Sequence, residues 1–90
     1  MSLLNTKKQF HLDIVSPEGK VFEGEIVRLV TDTPNGPICI MAGHIDYCTR
    51  CSGNVRIVTG AEQRRAHCSD GILTVKQNRA VMVTTQFEWN

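Results

Sequence analysis

Short runs of alternating apolar and polar residues, separated by turn residues, make up most of the chain. In the first run, Leu12 and Ile14 fall on the same side of an extended segment, and the run ends at Pro17-Glu18-Gly19. Proline presets φ and glycine tolerates positive φ, as a tight reversal requires. Because a second alternating run follows this turn, residues 10–25 are predicted to form a β-hairpin.

The segment Val21–Thr31 is rich in β-branched residues and is predicted to be one strand. Phe22, Ile26 and Val30 share one parity along it, whereas Val27 and Leu29 share the other. Both faces of such a strand carry apolar side chains. This pattern favours a core on one side and a core edge or docking surface on the other.

Turn residues also divide the middle of the chain. Residues 31–37 contain two prolines and an Asn-Gly pair and are predicted to be a loop without regular pairing. A corner follows at Gly43-His44, and Ser52-Gly53-Asn54 is predicted to turn the chain between two short strands.

The last two apolar runs, at residues 71–76 and 80–85, are close enough along the chain to predict a second hairpin. No segment offers the ten or more periodic residues that a helix would need. The predicted fold is therefore all-β, with essentially no helix and with seven to ten short strands arranged as a sandwich or barrel.

Length and composition indicate one small globular domain. A chain of 90 residues buries only roughly 60–65% of its unfolded surface, so the core is expected to be thin. Hydrophobic residues at 41% and charged residues at 21% are typical of a globular protein. No apolar run reaches the roughly 20 residues of a membrane-spanning helix, and the first residues lack the pattern of a signal peptide. The sequence predicts a protein of the cytosol.

Charge and aromatic residues argue against a nucleic-acid partner. The net charge is only +1, and Lys7-Lys8 and Arg64-Arg65 are the adjacent basic pairs. A nucleic-acid surface would need aromatic residues interleaved with basic ones, whereas the five aromatic residues here are scattered along the chain.

Metal binding is the strongest chemical alternative. Cys48 and Cys51 have the spacing of a zinc-binding pair, and His44, His67 and Cys68 could supply further ligands. However, His67 and Cys68 are adjacent, and neighbouring residues of a strand point to opposite faces. The alternative interpretation is that reduced cysteines fill a small core.

Enzymatic chemistry has little support in the sequence. The pair Cys48 and Cys51 lacks the helix that usually activates a redox thiol. The histidines have no nucleophile elbow near them, and the glycines never form a phosphate-binding loop. We therefore predict no catalytic residue, no metal and no cofactor.

Several segments, in order and spacing, resemble the N-terminal β-sandwich domain of the epsilon subunit of F-type ATP synthase, called delta in mitochondria. The resemblance covers about residues 10–86. The segments that carry it are Phe10-His11-Leu12-Asp13-Ile14-Val15-Ser16-Pro17, Val21-Phe22-Glu23-Gly24, Gly36, Gly43-His44, Gly53-Asn54-Val55-Arg56-Ile57, Asp70-Gly71-Ile72-Leu73-Thr74-Val75, Asn78 and Val81-Met82-Val83.

The resemblance implies a ten-stranded sandwich of two sheets and a non-catalytic role in the rotor. Such a domain links the gamma shaft to the ring of c subunits and couples ion flow to ATP synthesis, on the cytoplasmic side of the cell membrane and without entering it. It is expected to be a monomer when isolated. By position, Ser16, His44 and Thr49 are implied to face gamma. The loop of Asn35, Gly36, Pro37 and Ile38 is implied to face the c-ring.

The resemblance also divides the chain into three parts. Residues 1–9 are expected to be a flexible lead and residues 10–86 the sandwich domain. Residues 87–90 are expected to be a stub where the C-terminal helical hairpin of the family would begin. A zinc-binding or small-ligand-binding β module stays open as the alternative.

Overall fold

The computed structural model of the protein describes residues 8–90, and eight strands are found in this range. They are β1 (Phe10–Ser16), β2 (Gly19–Ile26), β3 (Arg28–Thr33), β4 (Gly36–Met41), β5 (Tyr47–Val58), β6 (Gln63–Lys76), β7 (Arg79–Val83) and β8 (Gln86–Trp89). No helix occurs among the described residues, which confirms the all-β prediction. Accordingly, residues 8–90 contain no helix that could cross a membrane.

All eight strands are connected in one hydrogen-bonded sheet with the order β2-β1-β7-β6-β5-β3-β4. β8 pairs with β6 on the same edge as β7, but nearer the start of β6. The β1–β7 pair is parallel and the other pairs are antiparallel. The predicted hairpins β1–β2 and β6–β7 are both confirmed.

A bulge divides the long strands β5 and β6 into halves. Cys51 pairs with Gly71 and Gly53 pairs with Cys68, so one residue of β5 lies opposite two residues of β6. The second of these two, Asp70, has a φ of 44°. The extra residue switches the buried positions of β6 from even numbers before the bulge to odd numbers after it. Both halves therefore direct side chains into the core.

Because a bulge also bends its strand, the continuous sheet folds into two layers. The first layer contains β2, β1, β7 and the adjoining halves of β6 and β5, which are residues 71–76 and 47–51. The second contains β8, residues 63–69 of β6, residues 53–58 of β5, β3 and β4. The edges of the layers meet, since Phe22 of β2 and Trp89 of β8 have ring centroids 6.2 Å apart although their strands do not pair.

One cluster of buried apolar side chains fills the space between the layers. Its members come from β1 to β7 and are Phe10, Leu12, Ile14, Ile26, Leu29, Ile40, Cys51, Val55, Ile57, Ala66, Cys68, Leu73, Val75, Ala80 and Met82.

The predicted strand count is only approximately met. Ten strands in two sheets were expected, whereas eight strands form one sheet, and ten are reached only when the halves of β5 and β6 are counted separately. The predicted turn at Ser52-Gly53-Asn54 is wrong, because β5 runs through these residues. Gly53, with a φ of 122°, provides part of the bulge there instead of a reversal.

The prediction of one strand over Val21–Thr31 is also wrong. β2 ends at Ile26 and β3 begins at Arg28, and the chain changes layers between them. The parity of the most buried positions changes at the same point, from Ile26 in β2 to Leu29 in β3. The buried positions of the two parities, Ile26 and Leu29, therefore belong to two strands that share one core and do not mark a docking surface on a single strand.

Candidate functional site

The loop predicted over residues 31–37 is much shorter in the structure. β3 and β4 pair up to Thr33 and Gly36, and only Pro34 and Asn35 lie between them. The proline and the Asn-Gly pair therefore permit regular pairing by forming a tight turn, because Gly36 adopts a φ of 108°.

The region at Ser16 and the predicted c-ring loop at residues 35–38 are built around the same type of turn. Ser16-Pro17-Glu18-Gly19 joins β1 to β2, and Thr33-Pro34-Asn35-Gly36 joins β3 to β4. In the first turn the Ser16 hydroxyl accepts a hydrogen bond from the Glu18 N–H at 3.3 Å and donates one to the Gly19 carbonyl at 3.4 Å. In the second, the Thr33 hydroxyl accepts from the Asn35 N–H at 3.1 Å and donates to the Gly36 carbonyl.

The two turns differ in which of their groups are accessible to a partner. Ser16 is buried, and its hydroxyl is occupied within its own turn. The tip of the second turn is accessible, since Asn35 and Pro37 are exposed, whereas Ile38 packs against the core. The predicted loop of residues 35–38 is thus the stiff tip of a hairpin.

His44 lies in the corner between β4 and β5. Its backbone N–H donates to the Met41 carbonyl at 3.1 Å, and its ring Nδ1 lies 2.7 Å from the Ile45 carbonyl. Its ring also packs edge-on against Tyr47, with centroids 5.9 Å apart. The corner is attached to the β6–β7 turn, because the Gly43 N–H donates to the Asn78 side-chain oxygen at 3.0 Å.

Thr49 lies on β5 opposite Leu73 and is half-buried. Its hydroxyl donates to the Arg50 carbonyl at 3.1 Å. His44 and Thr49 are close in sequence, at and after the β4–β5 corner, whereas Ser16 lies on a different strand, at the end of β1. The Asn78 side chain holds the His44 corner, and its backbone carbonyl accepts from the N–H of His11 near the start of β1. Ser16 ends β1 roughly 17 Å further along. An interface with all three residues must extend along the whole first layer.

The outer face of the first layer carries an apolar row that the sequence reasoning missed. Ile72 pairs with Val83, and Val83 pairs with Val15, so the three side chains share one face across β6, β7 and β1. Ile72 is 53% exposed and Val83 is 52% exposed. The sequence does contain a pattern that predicts this row. In the adjacent apolar pairs 72–73 and 82–83, one residue of each pair must lie on the outer face of its strand.

Charged residues occupy the other end of this face. We call the charged cluster the six residues His11, Asp13, Lys20, Glu23, Glu25 and Arg79. The Asp13 side chain is only 9% exposed. Its oxygens lie 3.3 Å from His11 Nε2, 3.5 Å from the Lys20 ammonium and 3.3 Å from the Arg79 guanidinium. His11 Nδ1 donates to the Glu25 carboxylate at 2.8 Å.

The charges in this cluster shift the pKa values of its members. The hydrogen bond to Glu25 raises the pKa of His11, with a further contribution from Asp13. Burial acts to raise the pKa of Asp13, but the hydrogen bond from His11 and the charge of Lys20 outweigh it, so the pKa is lowered. The hydrogen bond to Glu23 raises the pKa of Lys20.

Cys48 and Cys51, whose spacing suggested a zinc site, do not point to a common position. Cys48 is exposed and lies 3.8 Å from the Thr74 hydroxyl, whereas Cys51 is buried in the core. Cys51 is instead a neighbour of Cys68 in the core. Hydrogen bonding between these two thiols, together with burial, raises the pKa of the Cys51 thiol. The same bond lowers the pKa of Cys68 to about 7. Both Cys51 and Cys68 are free thiols within the apolar core.

The small-ligand alternative depends on a pocket. A groove of about 460 Å³ lies between the β3–β4 turn and the bulge of β5 and β6, and it is open to solvent. Its lining mixes charged and apolar side chains, among them Arg50, Asp70 and Ile72. Such a groove lacks the enclosed apolar walls of a typical small-molecule site.

Comparison with known proteins identifies the family. Residues 9–90 match the family described as ATP synthase, Delta/Epsilon chain, beta-sandwich domain. The ATP synthase epsilon chain of Caldicellulosiruptor saccharolyticus is 35% identical over 82 residues, which are 90% of this chain and 60% of that protein. The epsilon chain of Caldanaerobacter subterraneus subsp. tengcongensis is 27% identical over 84 residues, covering 91% of this chain and 61% of that protein.

Solved structures show the same fold at low identity. A chain in the OSCP/F1/c-ring structure of Euglena gracilis mitochondrial ATP synthase has a TM-score of 0.85 at 15% identity, covering 90% of this chain and 53% of that one. A chain in the central stalk/c-ring structure of Tetrahymena thermophila mitochondrial ATP synthase has a TM-score of 0.76 at 15% identity, covering 91% and 68%.

The chain spans about 60% of the length of these two epsilon-chain relatives. Within that span the family match extends from Gln9 to Asn90, and the structure shows the expected all-β fold in the same residues. The chain belongs to the β-sandwich domain family of ATP synthase delta and epsilon chains.

Proposed function

We propose that the protein is a non-catalytic domain of the central stalk of an F-type ATP synthase, linking the gamma shaft to the c-ring and coupling ion flow to ATP synthesis. Family membership supports the proposal, as does the fold shared with chains of F1/c-ring and central stalk/c-ring assemblies. In the complex the domain is peripheral, on the cytoplasmic side of the membrane.

The observation that carries the proposal is the apolar row of Val15, Val83 and Ile72. Exposed apolar groups that lie side by side on three strands are typical of an interaction surface. Burying an isoleucine or valine side chain contributes roughly 1.5–3 kcal/mol at full burial, and two of these three are about half exposed. Gamma is the proposed partner. Ser16, directly after Val15 at the end of β1, is also a proposed gamma contact, but it is buried and points to the face opposite Val15.

His44 and Thr49 are further proposed gamma contacts in the first layer. Thr49 pairs with buried Leu73, so its side chain lies on the opposite face of β5 from the apolar row. The His44 ring is half-buried and is fixed by the Tyr47 ring and the Ile45 carbonyl, so it would meet a partner without losing much conformational freedom.

The c-ring is the proposed partner of the hairpin tip formed by Asn35, Gly36, Pro37 and Ile38. This tip is held by the Thr33 hydroxyl and by pairing with β3, which restricts its motion. A restricted tip suits contact with a rotating ring because little internal deformation accompanies the transfer of torque.

The experiment is a binding measurement with a gamma subunit by calorimetry. Val83→Glu places a charge in the apolar row, and Asn54→Glu is the matched control, since Asn54 is exposed on β5 in the other layer. We expect Val83→Glu to weaken binding by about 2 kcal/mol, roughly thirtyfold, because charge is placed in the interface core. His44→Glu is expected to weaken it as well.

Thermal unfolding is the control that checks whether each variant is folded. If Val83→Glu binds gamma as tightly as Asn54→Glu does, the apolar row is not the gamma surface. If the parent chain itself shows no binding to gamma, the proposed function is wrong.

A further inference from the structure

The charged cluster contains three side chains close enough to share a metal ion, and none of them is among the residues proposed above to contact gamma or the c-ring. His11 Nε2, one oxygen of Asp13 and one oxygen of Glu23 all lie within 4.8 Å of one another. Among residues 8–90 this is the one group of three such side chains close enough to share a metal ion. We propose that His11, Asp13 and Glu23 bind a transition-metal dication such as Zn²⁺.

Two of the three distances between the ligand atoms match those of a bound ion, and the third is below 4.8 Å. Zinc bonds to histidine nitrogen and carboxylate oxygen are about 2.0–2.2 Å long, and tetrahedral coordination therefore places the ligand atoms about 3.3–3.6 Å apart. His11 Nε2 lies 3.3 Å from the Asp13 oxygen and 3.6 Å from the Glu23 oxygen. An ion would thus fit between the side chains with small movements, and water would complete the coordination.

The register of the sheet sets this geometry. Asp13 pairs with Glu23, so their side chains lie side by side on the outer face of β1 and β2. His11 is two residues before Asp13 and therefore lies on the same face. Two ligands come from one strand and the third from its neighbour, which makes the site part of a regular hairpin rather than of a mobile loop.

The surrounding side chains orient the ligands. His11 Nδ1 donates to Glu25 at 2.8 Å, which leaves Nε2 as the nitrogen that faces Asp13 and Glu23. Metal-binding histidines usually donate their other ring N–H to a carboxylate in this way. The second oxygen of Asp13 accepts from Arg79 at 3.3 Å, so the oxygen that faces His11 is also held in place.

The Lys20 ammonium would compete with a metal ion for the Asp13 and Glu23 carboxylates. This ammonium lies 3.5 Å from the Asp13 oxygen and 3.0 Å from Glu23, so it partly neutralises two of the ligands. Lys20 is about half exposed and can move towards solvent when an ion binds. Removing its charge should therefore strengthen metal binding.

The test is titration of the full chain with ZnCl₂ by calorimetry, together with NMR of the histidine ring resonances. Because Cys39 and Cys48 are exposed thiols, all variants carry Cys39→Ser and Cys48→Ser. We expect one ion per chain, with the largest resonance shift at His11. Glu23→Gln and His11→Gln should abolish this binding, and Glu25→Gln should weaken it about 10–100-fold.

Matched controls separate a built site from general charge effects. His67→Gln removes an exposed histidine of β6 and should leave zinc binding unchanged. Lys20→Gln should strengthen binding more than Arg56→Gln, which removes one positive charge from the other layer. Glu23 is about half exposed, so Glu23→Gln should remain folded, and zinc should raise the unfolding temperature of the parent but not of this variant.

The proposal is wrong if the parent binds no zinc, if Glu23→Gln or His11→Gln binds as the parent does, or if His67→Gln loses binding to the same extent. The gamma proposal is tested separately with Val83→Glu, so failure of zinc binding would not overturn it.

Discussion

Single residues at the bulge show how tightly this small core is packed. A Cβ atom added to Gly71 would lie 2.9 Å from the Cys51 sulfur, 3.0 Å from a Thr84 methyl carbon and 3.1 Å from the Val83 carbonyl oxygen. The backbone conformation of Gly71 is one that other residues adopt, so space rather than φ requires glycine here. Gly71 thus allows β5 and β7 to approach the bulge of β6.

Gly71→Ala is expected to destabilise the protein by about 1–3 kcal/mol, because an extra carbon must displace a buried sulfur, a buried methyl group and a backbone carbonyl. The measurement is urea unfolding. Gly60→Ala is the control, since a Cβ at Gly60 has no neighbour within 4 Å, and its effect should stay within about 0.5 kcal/mol. Equal stability of the two variants would contradict this account of the bulge.

At the scale of elements, the repeated turn of Ser16-Pro17-Glu18-Gly19 and Thr33-Pro34-Asn35-Gly36 accounts for both tight hairpins next to the proposed interfaces. In each turn a hydroxyl at the first position bonds to the backbone of the third and fourth residues. Gly19 and Gly36 then adopt φ values of 122° and 108°. The hydroxyl at the first position therefore has a structural role in both turns.

Ser16→Ala and Thr33→Ala are each expected to lower the free energy of unfolding by about 1 kcal/mol, because a backbone N–H loses its acceptor. Ser16→Thr and Thr33→Ser keep the hydroxyl and exchange the residues of two equivalent turns. These exchanges should cost clearly less in urea unfolding. If the exchanges cost as much as the alanine substitutions, the hydroxyl bonds do not stabilise the turns.

At the scale of the whole molecule, aromatic side chains close the edges of the two layers. Trp89 of β8 lies edge-on to Phe22 of β2 at 6.2 Å and to Phe87 at 5.0 Å between centroids. The Arg64 guanidinium lies 3.7 Å from the centroid of the Trp89 ring. The segment 87–90, expected to be a stub, thus contains most of a strand that packs against the opposite layer.

Trp89→Ala is expected to destabilise the protein by about 2–3 kcal/mol, because two aromatic contacts and the stacked arginine are lost together. Ile45→Ala is the control, since Ile45 is 76% exposed and should contribute almost nothing. Thermal and urea unfolding provide the comparison. A Trp89→Ala variant as stable as Ile45→Ala would mean that β8 does not hold the layers together.

Local patterns in the sequence determined the strand content and the two confirmed hairpins. Alternation and turn residues such as Pro17-Glu18-Gly19 act within a few residues, and they predict the same structure wherever the segment lies. They also led to the correct family, because the order of these segments along the chain is specific. Ser16, His44, Thr49 and the tip at residues 35–38 remain predicted contacts, since binding depends on a second molecule.

Only the tertiary structure decided which strands lie side by side. The division of Val21–Thr31 into two strands, the bulge at Asp70 and the continuous β5 all depend on partners far along the chain. The same holds for the charged cluster, where Arg79 bonds to Asp13 across 66 positions of sequence. The apolar row likewise arises from three separate strands. Side chains converge through pairing register, and register is set by the burial of the whole core rather than by any local segment.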